Sequence, residues 1–234
     1  DGVATTLSTN TAAIADNTTS VHIGGDTNTN YFSGYIDDLM ISKFAKTFSA
    51  APTAASGGEV LGTTTDTRTF SSVWNLNSPE VTEAFKAGTW PGTGSAIDTQ
   101  YTKLYMSFDT NVQDESPSAR SVTASGNAAV SNTQAKFGSS LYLDGSGDYL
   151  TVPHASDLNL GGSDFTIEAW VYNTSFPSGS GAVISKWTGS SKEFIVFTIA
   201  SGLYFYWSHN GSTNNLIQST DGFSLNTWHH IAIT

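Results

Sequence analysis

The sequence predicts an all-β protein built from antiparallel strands, and three features of its 234 residues indicate this. Short stretches rich in β-branched and aromatic residues alternate with Gly, Asn, Asp and Ser clusters that are typical of turns. Only 12% of the residues are charged, which disfavours long solvent-exposed helices. Strand-like stretches follow one another closely between Tyr101 and Thr234, as expected for a sandwich of two sheets.

The first fifty residues contain two strand-like stretches. SVHIGG and YFSGYIDDLMIS are separated by GGDTNTN, a cluster that is typical of a turn. In the second stretch the apolar residues do not alternate strictly with polar ones. This pattern predicts a strand that is buried on both faces over part of its length; its apolar residues are Tyr35, Ile36, Leu39, Met40 and Ile41.

Residues 51–100 form a linker in our prediction. Residues 51–72 are small, polar and rich in Thr and Gly, with too little apolar surface to build a core. The following VWNLNSPEVTEAFKAGTWPGTGS predicts one short helix, with Ser78 as the N-cap and Gly88 at its end. So short a helix is unstable alone in water, so we expect it to dock on a neighbouring sandwich or on another chain.

From Tyr101 onward the strand-like stretches are continuous. They are TKLYMSFD, SSLYLDGSGDYLTVP, SDFTIEAWVY, GAVISKW, KEFIVFTIASGLYFYWSHN, NLIQST and TWHHIAIT. In SDFTIEAWVY a period of two predicts one core-facing side, made of Phe165, Ile167, Ala169 and Val171. FIVFTIASGLYFYW is interpreted as two strands joined by a hairpin at residues 200–202.

These strand sequences resemble the laminin-G-like, concanavalin A-like jelly-roll family in its bacterial and viral form. The resemblance is carried by KFGSSLYLDGSGDYLTVP, SDFTIEAWVY, GAVISKW and TWHHIAIT, in that order. In that family the strand containing WHHIAIT is followed by a segment like DGV, then by IGG, and then by a closing strand like GYIDDLMI. Here the closing elements stand at the front of the chain.

The resemblance implies two pieces of antiparallel jelly-roll sandwich joined by the linker. Residues 1–50 would be the C-terminal part of one sandwich, and residues 101–234 the N-terminal two thirds of a second. Two arrangements are open: a window from a tandem array, which is the simpler, or one sandwich with a permuted chain order. Neither piece has a full core, so the two pieces must complement each other or be covered by neighbours.

Composition excludes several kinds of partner and site. The 9 basic and 20 acidic residues give a net charge of -11, which repels nucleic acid and anionic membrane surfaces. There is no cysteine, so neither a disulfide nor a thiolate metal site is possible. No apolar run approaches the roughly 18 residues of a membrane span, so we predict no membrane insertion.

The acidic residues and histidines do not predict catalysis. Concanavalin-like folds include glucanases, which need paired carboxylates, but the six Glu residues are scattered and Glu168 has Thr166 and Trp170 at alternate positions. His229 and His230 are adjacent, so on a strand they point to opposite faces and cannot share a metal ion. We therefore predict that the protein is not an enzyme.

Two candidate binding sites follow from the residues and the resemblance. DGSGD puts Asp144 and Asp148 on a Gly-rich turn where many members of the resembled family bind calcium, and the resemblance brings Asp37 or Asp38 close to it. The same residue types are also ordinary turn residues. Exposed aromatics and an amide would suit a carbohydrate, although aromatics in a sandwich are also core residues; the candidates are Trp187, Tyr204, Tyr206, Trp207 and Asn210.

The predicted function is adhesion or assembly. SSVWNLNSPEVTEAFKAGTWP resembles a short element of tailed-bacteriophage structural proteins, which implies a virion tail, fibre or capsid decoration protein built from tandem laminin-G-like domains. The alternative is a carbohydrate-binding, lectin-like module of a secreted bacterial surface protein. Either role implies a virion-surface or extracellular location, with other subunits or glycans as partners.

Overall fold

The computed structural model describes residues 13–26, 29–45, 101–176, 180–219 and 222–234. Nearly all regular structure in these residues is antiparallel β, apart from one 3-10 turn at Ser156–Leu158, so the predicted all-β class is confirmed. The predicted linker helix lies outside the described residues. The strands are β1 (Val21–Ile23), β2 (Ser33–Ser42), β3 (Thr102–Met106), β4 (Thr123–Ser125), β5 (Ala129–Ser131), β6 (Ser140–Asp144), β7 (Tyr149–Val152), β8 (Thr166–Ser175), β9 (Gly181–Trp187), β10 (Lys192–Ile199), β11 (Gly202–Trp207), β12 (Asn215–Gln218) and β13 (Trp228–Ile233).

Two antiparallel sheets pack face to face as a sandwich. Sheet A has seven strands in the order β12-β11-β10-β9-β1-β7-β4. Sheet B has six strands in the order β13-β8-β2-β6-β5, with β3 also paired to β2. This is the jelly-roll sandwich that the sequence resemblance implied. Every strand-like stretch predicted between Tyr101 and Thr234 contains at least one of these strands.

The core lies between the inner faces of the two sheets. The alternation in β8 is confirmed, because Ile167, Ala169 and Val171 belong to the core cluster, Phe165 packs against it, and Trp170 is not part of it. β2 is buried along its whole length, which extends beyond the partial burial on both faces that the sequence predicted. Burial of such side chains supplies about 25 cal/mol for each Å² of apolar surface and is the main source of stability here.

Residues from the front of the chain occupy interior positions in both sheets. β1 lies between β9 and β7 in sheet A, and β2 lies between β8 and β6 in sheet B. Within this chain the two predicted pieces therefore complete one sandwich. The assignment of residues 1–50 and 101–234 to separate copies of a tandem array stays a prediction.

A bulge and a glycine fit β2 into sheet B. Between Asp37 and Met40 the register with β8 shifts by one residue, and Asp38 takes the positive φ of 52° that such a bulge requires. At Gly34, where φ is 140°, a Cβ atom would lie 1.9 Å from the backbone oxygen of Tyr172. Only glycine allows β2 and β8 to approach so closely.

Two short strands were not predicted from the sequence. β4 and β5 have three residues each and are largely exposed, so their residues carry no apolar pattern. Their backbone pairing with β7 and β6 makes them strands. Among the described residues, no helix is long and apolar enough to cross a membrane.

Candidate functional site

Aromatic and aliphatic side chains form a continuous strip on the outer face of sheet A. We define the aromatic strip as Trp187, Ile195, Phe197, Tyr204 and Tyr206. The antiparallel register sets Ile195 opposite Tyr206 and Phe197 opposite Tyr204. The rings of Phe197 and Tyr206 meet edge to face at 6.0 Å, and those of Tyr204 and Tyr206 stack at 6.5 Å. The strip therefore runs across β9, β10 and β11.

The accessible end of the aromatic strip lies at β11 and β12. Tyr204 and Tyr206 are half-buried, whereas Trp187 is only 8% exposed because Ile195 and its neighbours pack around it. Leu216, directly opposite Tyr206 on β12, is 41% exposed. A ligand would therefore contact the two tyrosine rings and Leu216 first.

Polar groups border the strip at both ends. Gln218 is exposed and lies opposite Tyr204, so its amide reaches the same face. At the other end the Lys192 ammonium lies 5.5 Å from the centre of the Trp187 ring. That ammonium also donates to the Ser212 carbonyl at 2.9 Å and to Asn214 Oδ1 at 2.8 Å, which fixes the adjoining loop. The site thus combines ring faces with hydrogen-bonding groups at its edges.

A buried ion pair supports the hairpin that carries the strip. Lys186 Nζ lies 2.5 Å from Glu193 Oε2, and both side chains are fully buried. The same ammonium donates to Asn17 Oδ1 and to Asn159 Oδ1, while the Leu160 amide donates to Glu193 Oε1. Burial raises the pKa of Glu193, and the hydrogen bond from Lys186 opposes that shift. The network joins β9 and β10 to the front of the chain.

The sequence analysis missed this pair, although a weak signal was present. Lys186 is the one charge of β9, and Glu193 follows Lys192 at the start of β10; Lys186 and Glu193 flank the β9–β10 turn at equal distances from it. Opposite charges placed symmetrically about a hairpin turn lie close together across the two strands.

Two predicted carbohydrate-binding residues do not join the strip. Trp207 alternates with Tyr206, so it faces the core, where it is 5% exposed and stacks on Phe205 at 5.8 Å. Asn210 is exposed, but its Oδ1 accepts hydrogen bonds from the backbone amides of Ser212 and Thr213. Asn210 therefore stabilises its own turn. Trp187, Tyr204 and Tyr206 are the predicted residues that the structure brings together.

The two acidic pairs predicted for calcium are held apart. Asp144 lies opposite Ser33 in the β2–β6 register, whereas Asp37 is four residues further along β2. At roughly 3.3 Å per residue this separation is about 13 Å, too far for the four carboxylates to share one ion, which needs ligands 2.3–2.6 Å from the metal.

Asp144 and Asp148 also have local structural roles. Asp148 is fully buried and accepts from the backbone amides of Asn127 and Asp144 at 2.7 and 2.9 Å. Asp144 accepts from the Ser146 amide at 2.7 Å. No cluster of three or more His, Asp or Glu side chains suited to a metal occurs in the described part of the chain. The arrangement therefore does not fit one calcium site built from Asp37, Asp38, Asp144 and Asp148.

Sheet B has a second aromatic row on its outer face, which the sequence analysis did not predict as a unit. We define the ladder as Tyr142, Tyr35, Tyr172 and Trp228, one residue from each of β6, β2, β8 and β13. Adjacent ring centres lie 5.1, 5.8 and 5.4 Å apart. Burial raises the pKa of Tyr35, and the neighbouring tyrosines contribute to the rise.

Beside the ladder, a loop segment covers Trp170. The Lys136 ammonium lies 3.9 Å above the Trp170 ring, and the Phe137 ring meets Trp170 edge-on at 6.1 Å. Asp37 Oδ2 accepts from the backbone amides of both loop residues at 2.9 Å. Burial is the main reason that the pKa of Asp37 rises to about 7, and the nearby carboxylate of Asp38 adds to the rise.

The two adjacent histidines face opposite sides of sheet B, as predicted. His230 Nε2 lies 3.5 Å from Glu168 Oε2 on the outer face, and its ring packs on Trp170. His229 lies opposite the core residue Val171 and contacts Phe223. Glu168 is 1% exposed, so this carboxylate has a structural setting and is not presented in a cleft.

Comparison with protein families gives a match over the C-terminal part of the chain. Residues 144–234 match a laminin G family model described as the concanavalin A-like lectin/glucanases superfamily. This match supports the laminin-G-like domain family. No curated protein matched the chain, and neither did any solved structure. The matched range contains all of β7 to β13 and therefore the whole aromatic strip.

The match gives the general character of the domain. Laminin-G-like sandwiches of this superfamily suggest a carbohydrate-binding or adhesion-type module. Domains of this kind are generally non-catalytic, in keeping with the separate structural settings of Glu168 and Glu193 described above.

Proposed function

We propose that this laminin-G-like sandwich is a non-catalytic adhesion module that binds carbohydrate on the aromatic strip. The observation that carries the proposal is the paired, half-exposed stack of Tyr204 and Tyr206 beside Leu216. Aromatic faces pack against the C–H faces of sugar rings, and Gln218 at the edge of the strip supplies donors and an acceptor for hydroxyl groups. The strip needs no metal ion for this contact.

The negative net charge of the chain disfavours acidic glycans as ligands. A net charge of -11 repels sialylated or uronic-acid polymers at the low salt where charge effects are strongest. The ligand that we propose is therefore a neutral oligosaccharide. Two stacked rings on an open sheet face bury little area, so we expect weak affinity in each site, of the order of 1 mM to 1 μM.

The test is a glycan array probed with the unaltered chain and with two matched variants. Tyr206→Ala removes a ring from the aromatic strip, and Tyr172→Ala removes the same ring from the ladder on the other sheet. Loss of one stacking ring should weaken binding about tenfold, equivalent to about 1.4 kcal/mol, in the first variant alone. Thermal unfolding of both variants checks that the sandwich remains folded.

Equal losses of glycan affinity in the two variants would contradict a binding site on the aromatic strip. If the unaltered chain retains no glycan while remaining folded, carbohydrate binding is excluded and the virion interpretation is favoured. Co-purification with capsid or tail subunits of a phage would then identify the partner.

The biological setting that we propose is the virion surface or another extracellular surface, with other subunits of a larger assembly as partners. This setting is supported by the resemblance of SSVWNLNSPEVTEAFKAGTWP to an element of phage structural proteins. That stretch of the chain lies outside the described residues. Calcium binding by one acidic pair alone, either Asp37 with Asp38 or Asp144 with Asp148, stays a prediction. Isothermal titration with Ca²⁺ tests it.

A further inference from the structure

The front of the chain behaves as a separate insert within the sandwich. We define the closing segment as residues 13–26 and 29–45, and the body as the described residues from 101 onward. The closing segment supplies one strand to the interior of each sheet. β2 alone pairs with three body strands, β3, β6 and β8. Without the closing segment five body strands would lose a partner and have an unpaired edge: β3, β6, β7, β8 and β9.

The closing segment also supplies a large part of the apolar core. Fully buried residues of the segment are Val21, Ile23, Phe32, Ile36, Leu39 and Ile41. They belong to the same cluster as the body residues of both sheets. Removing them would expose an apolar cleft through the middle of the body, so a body without a closing segment must acquire one.

Polar contacts give this docking a unique register. Asn17 contacts the Lys186 and Glu193 pair, and the Lys43 ammonium donates to the carbonyl of Leu160 at 3.0 Å. Across the boundary in sheet B, Ser175 Oγ donates to Ser33 Oγ at 3.0 Å. The contacts fix where the segment sits and are made with body residues that every copy of the chain carries.

The connection between the two parts does not dictate which body the segment enters. The Lys43 amide donates to the Tyr101 carbonyl at 2.9 Å, and the Phe44 and Tyr101 rings lie 5.6 Å apart, so the chain leaves and returns at one point. A hairpin between β2 and β3 needs about 2–5 residues. Residues 46–100 amount to about 55 residues and can reach at most about 180 Å. That length allows docking into a second body.

We propose that the closing segment of one copy of this chain completes the body of a second copy. The smallest closed product is a two-fold dimer in which both segments are exchanged, and one-way exchange gives a linear array. Docking of the segment in its own body competes with this exchange. It dominates at low protein concentration, because the tether then gives the segment a higher local concentration than the segments of other chains have. This inference is independent of carbohydrate binding.

The test uses the Ser33 and Ser175 contact in full-length chains. Because the protein has no cysteine, any disulfide comes from introduced residues. Ser33→Cys chains and Ser175→Cys chains are unfolded, mixed in equal amounts, refolded at high concentration and oxidised. The control mixture pairs Ser33→Cys with Ser118→Cys, an exposed position of the body. Covalent dimer is measured by non-reducing electrophoresis and intact mass.

We expect several times more covalent heterodimer from the Ser33→Cys and Ser175→Cys mixture than from the control mixture, and a fraction that rises with protein concentration during refolding. The double variant Ser33→Cys/Ser175→Cys, refolded dilute, should form an intrachain disulfide. If the double variant closes its disulfide but the mixture yields no more heterodimer than the control, the segment docks only in its own chain and the proposal is overturned. If the double variant forms no intrachain disulfide, the proposal is overturned as well, since the contact between positions 33 and 175 would be absent.

Discussion

The outer faces of the two sheets carry similar aromatic residues in different surroundings. On sheet A the aromatic strip ends at half-exposed rings beside Leu216, and the hairpin that carries it contains a compensated ion pair, Lys186 with Glu193. On sheet B the face beside the ladder is covered over Trp170 by a loop, and the buried carboxylate there, Asp37, accepts hydrogen bonds from two backbone amides. Similar rings therefore end in an accessible row on one face and lie beside a packed, covered layer on the other.

The two faces differ in whether their buried carboxylate has a positively charged partner. Glu193 and Asp37 both have a raised pKa because burial disfavours the ionised form. Glu193 has an ammonium partner that offsets this penalty. Asp37 has instead two carboxylates nearby, Asp38 and Asp109, which increase it. We expect the support of the strip to fail when its partner is removed, and the face of the ladder to respond to pH.

The largest effect should follow from Lys186→Met. This change leaves the buried Glu193 without a counter-charge, and we expect the free energy of unfolding to fall by about 3–5 kcal/mol. Urea denaturation at pH 7 measures it. The double variant Lys186→Met/Glu193→Leu removes both charges and should recover most of the loss. A single variant as stable as the unaltered chain would mean that the pair does not support the hairpin.

Asp37→Asn should change the pH dependence of stability. The folded state holds the Asp37 proton more tightly than the unfolded chain, so ionisation lowers stability as the pH rises from about 4 to about 7, with no further loss above that. The amide keeps an acceptor for the two backbone donors. We expect the variant to gain up to about 4 kcal/mol relative to the unaltered chain between pH 4 and pH 8. The exposed Asp164→Asn is the control, and a gain that does not vary with pH would refute the assignment.

Gly34→Ala should test how closely β2 of the closing segment must approach β8 within sheet B. Its Cβ would sit 1.9 Å from the Tyr172 oxygen, so β2 and β8 must separate, and we expect a loss of about 2–3 kcal/mol. Gly147→Ala is the matched control, since its φ is also positive but its Cβ meets open space. It should lose only about 1 kcal/mol from backbone strain. Equal losses in thermal unfolding would show that the close approach is not limiting.

The smallest effect should come from Lys136→Met, which keeps the aliphatic stem but removes the ammonium over Trp170. We expect about 0.5–1 kcal/mol of lost stability from the cation–π contact. A double-mutant cycle with Trp170→Leu, which removes the aromatic face, isolates the pairwise energy. A coupling energy of zero would mean that the loop covers Trp170 through Phe137 and the Asp37 hydrogen bonds alone.

Most of the fold could be predicted from sequence because period-two patterns are clear where one face is polar. In β8 the polar Thr166 and Glu168 separate the apolar residues, and the predicted inner face is confirmed. The pattern fails in β11, where Leu203, Tyr204, Phe205, Tyr206 and Trp207 are all apolar or aromatic. No period distinguishes its two faces, so the sequence groups Trp207 with the tyrosines although it points into the core.

The candidate site could be predicted only in part, because its surroundings depend on contacts distant in sequence. The aromatic residues themselves identified Trp187, Tyr204 and Tyr206. The support from Asn17 comes from a residue far away in the chain, and only the folded arrangement brings it to Lys186. The acidic pairs that the sequence suggested as one site are not close together, since the register of β2 with β6 keeps Asp37 and Asp144 apart.

The measurement that tests the central claim most directly is an NMR titration of the isotope-labelled chain with the neutral glycan that the array selects. If the strip is the binding surface, backbone amide shifts should concentrate in β9 to β12 and change little in β6, β2, β8 and β13. Shifts confined to the ladder on sheet B, or spread equally over both faces, would contradict a carbohydrate site on the aromatic strip.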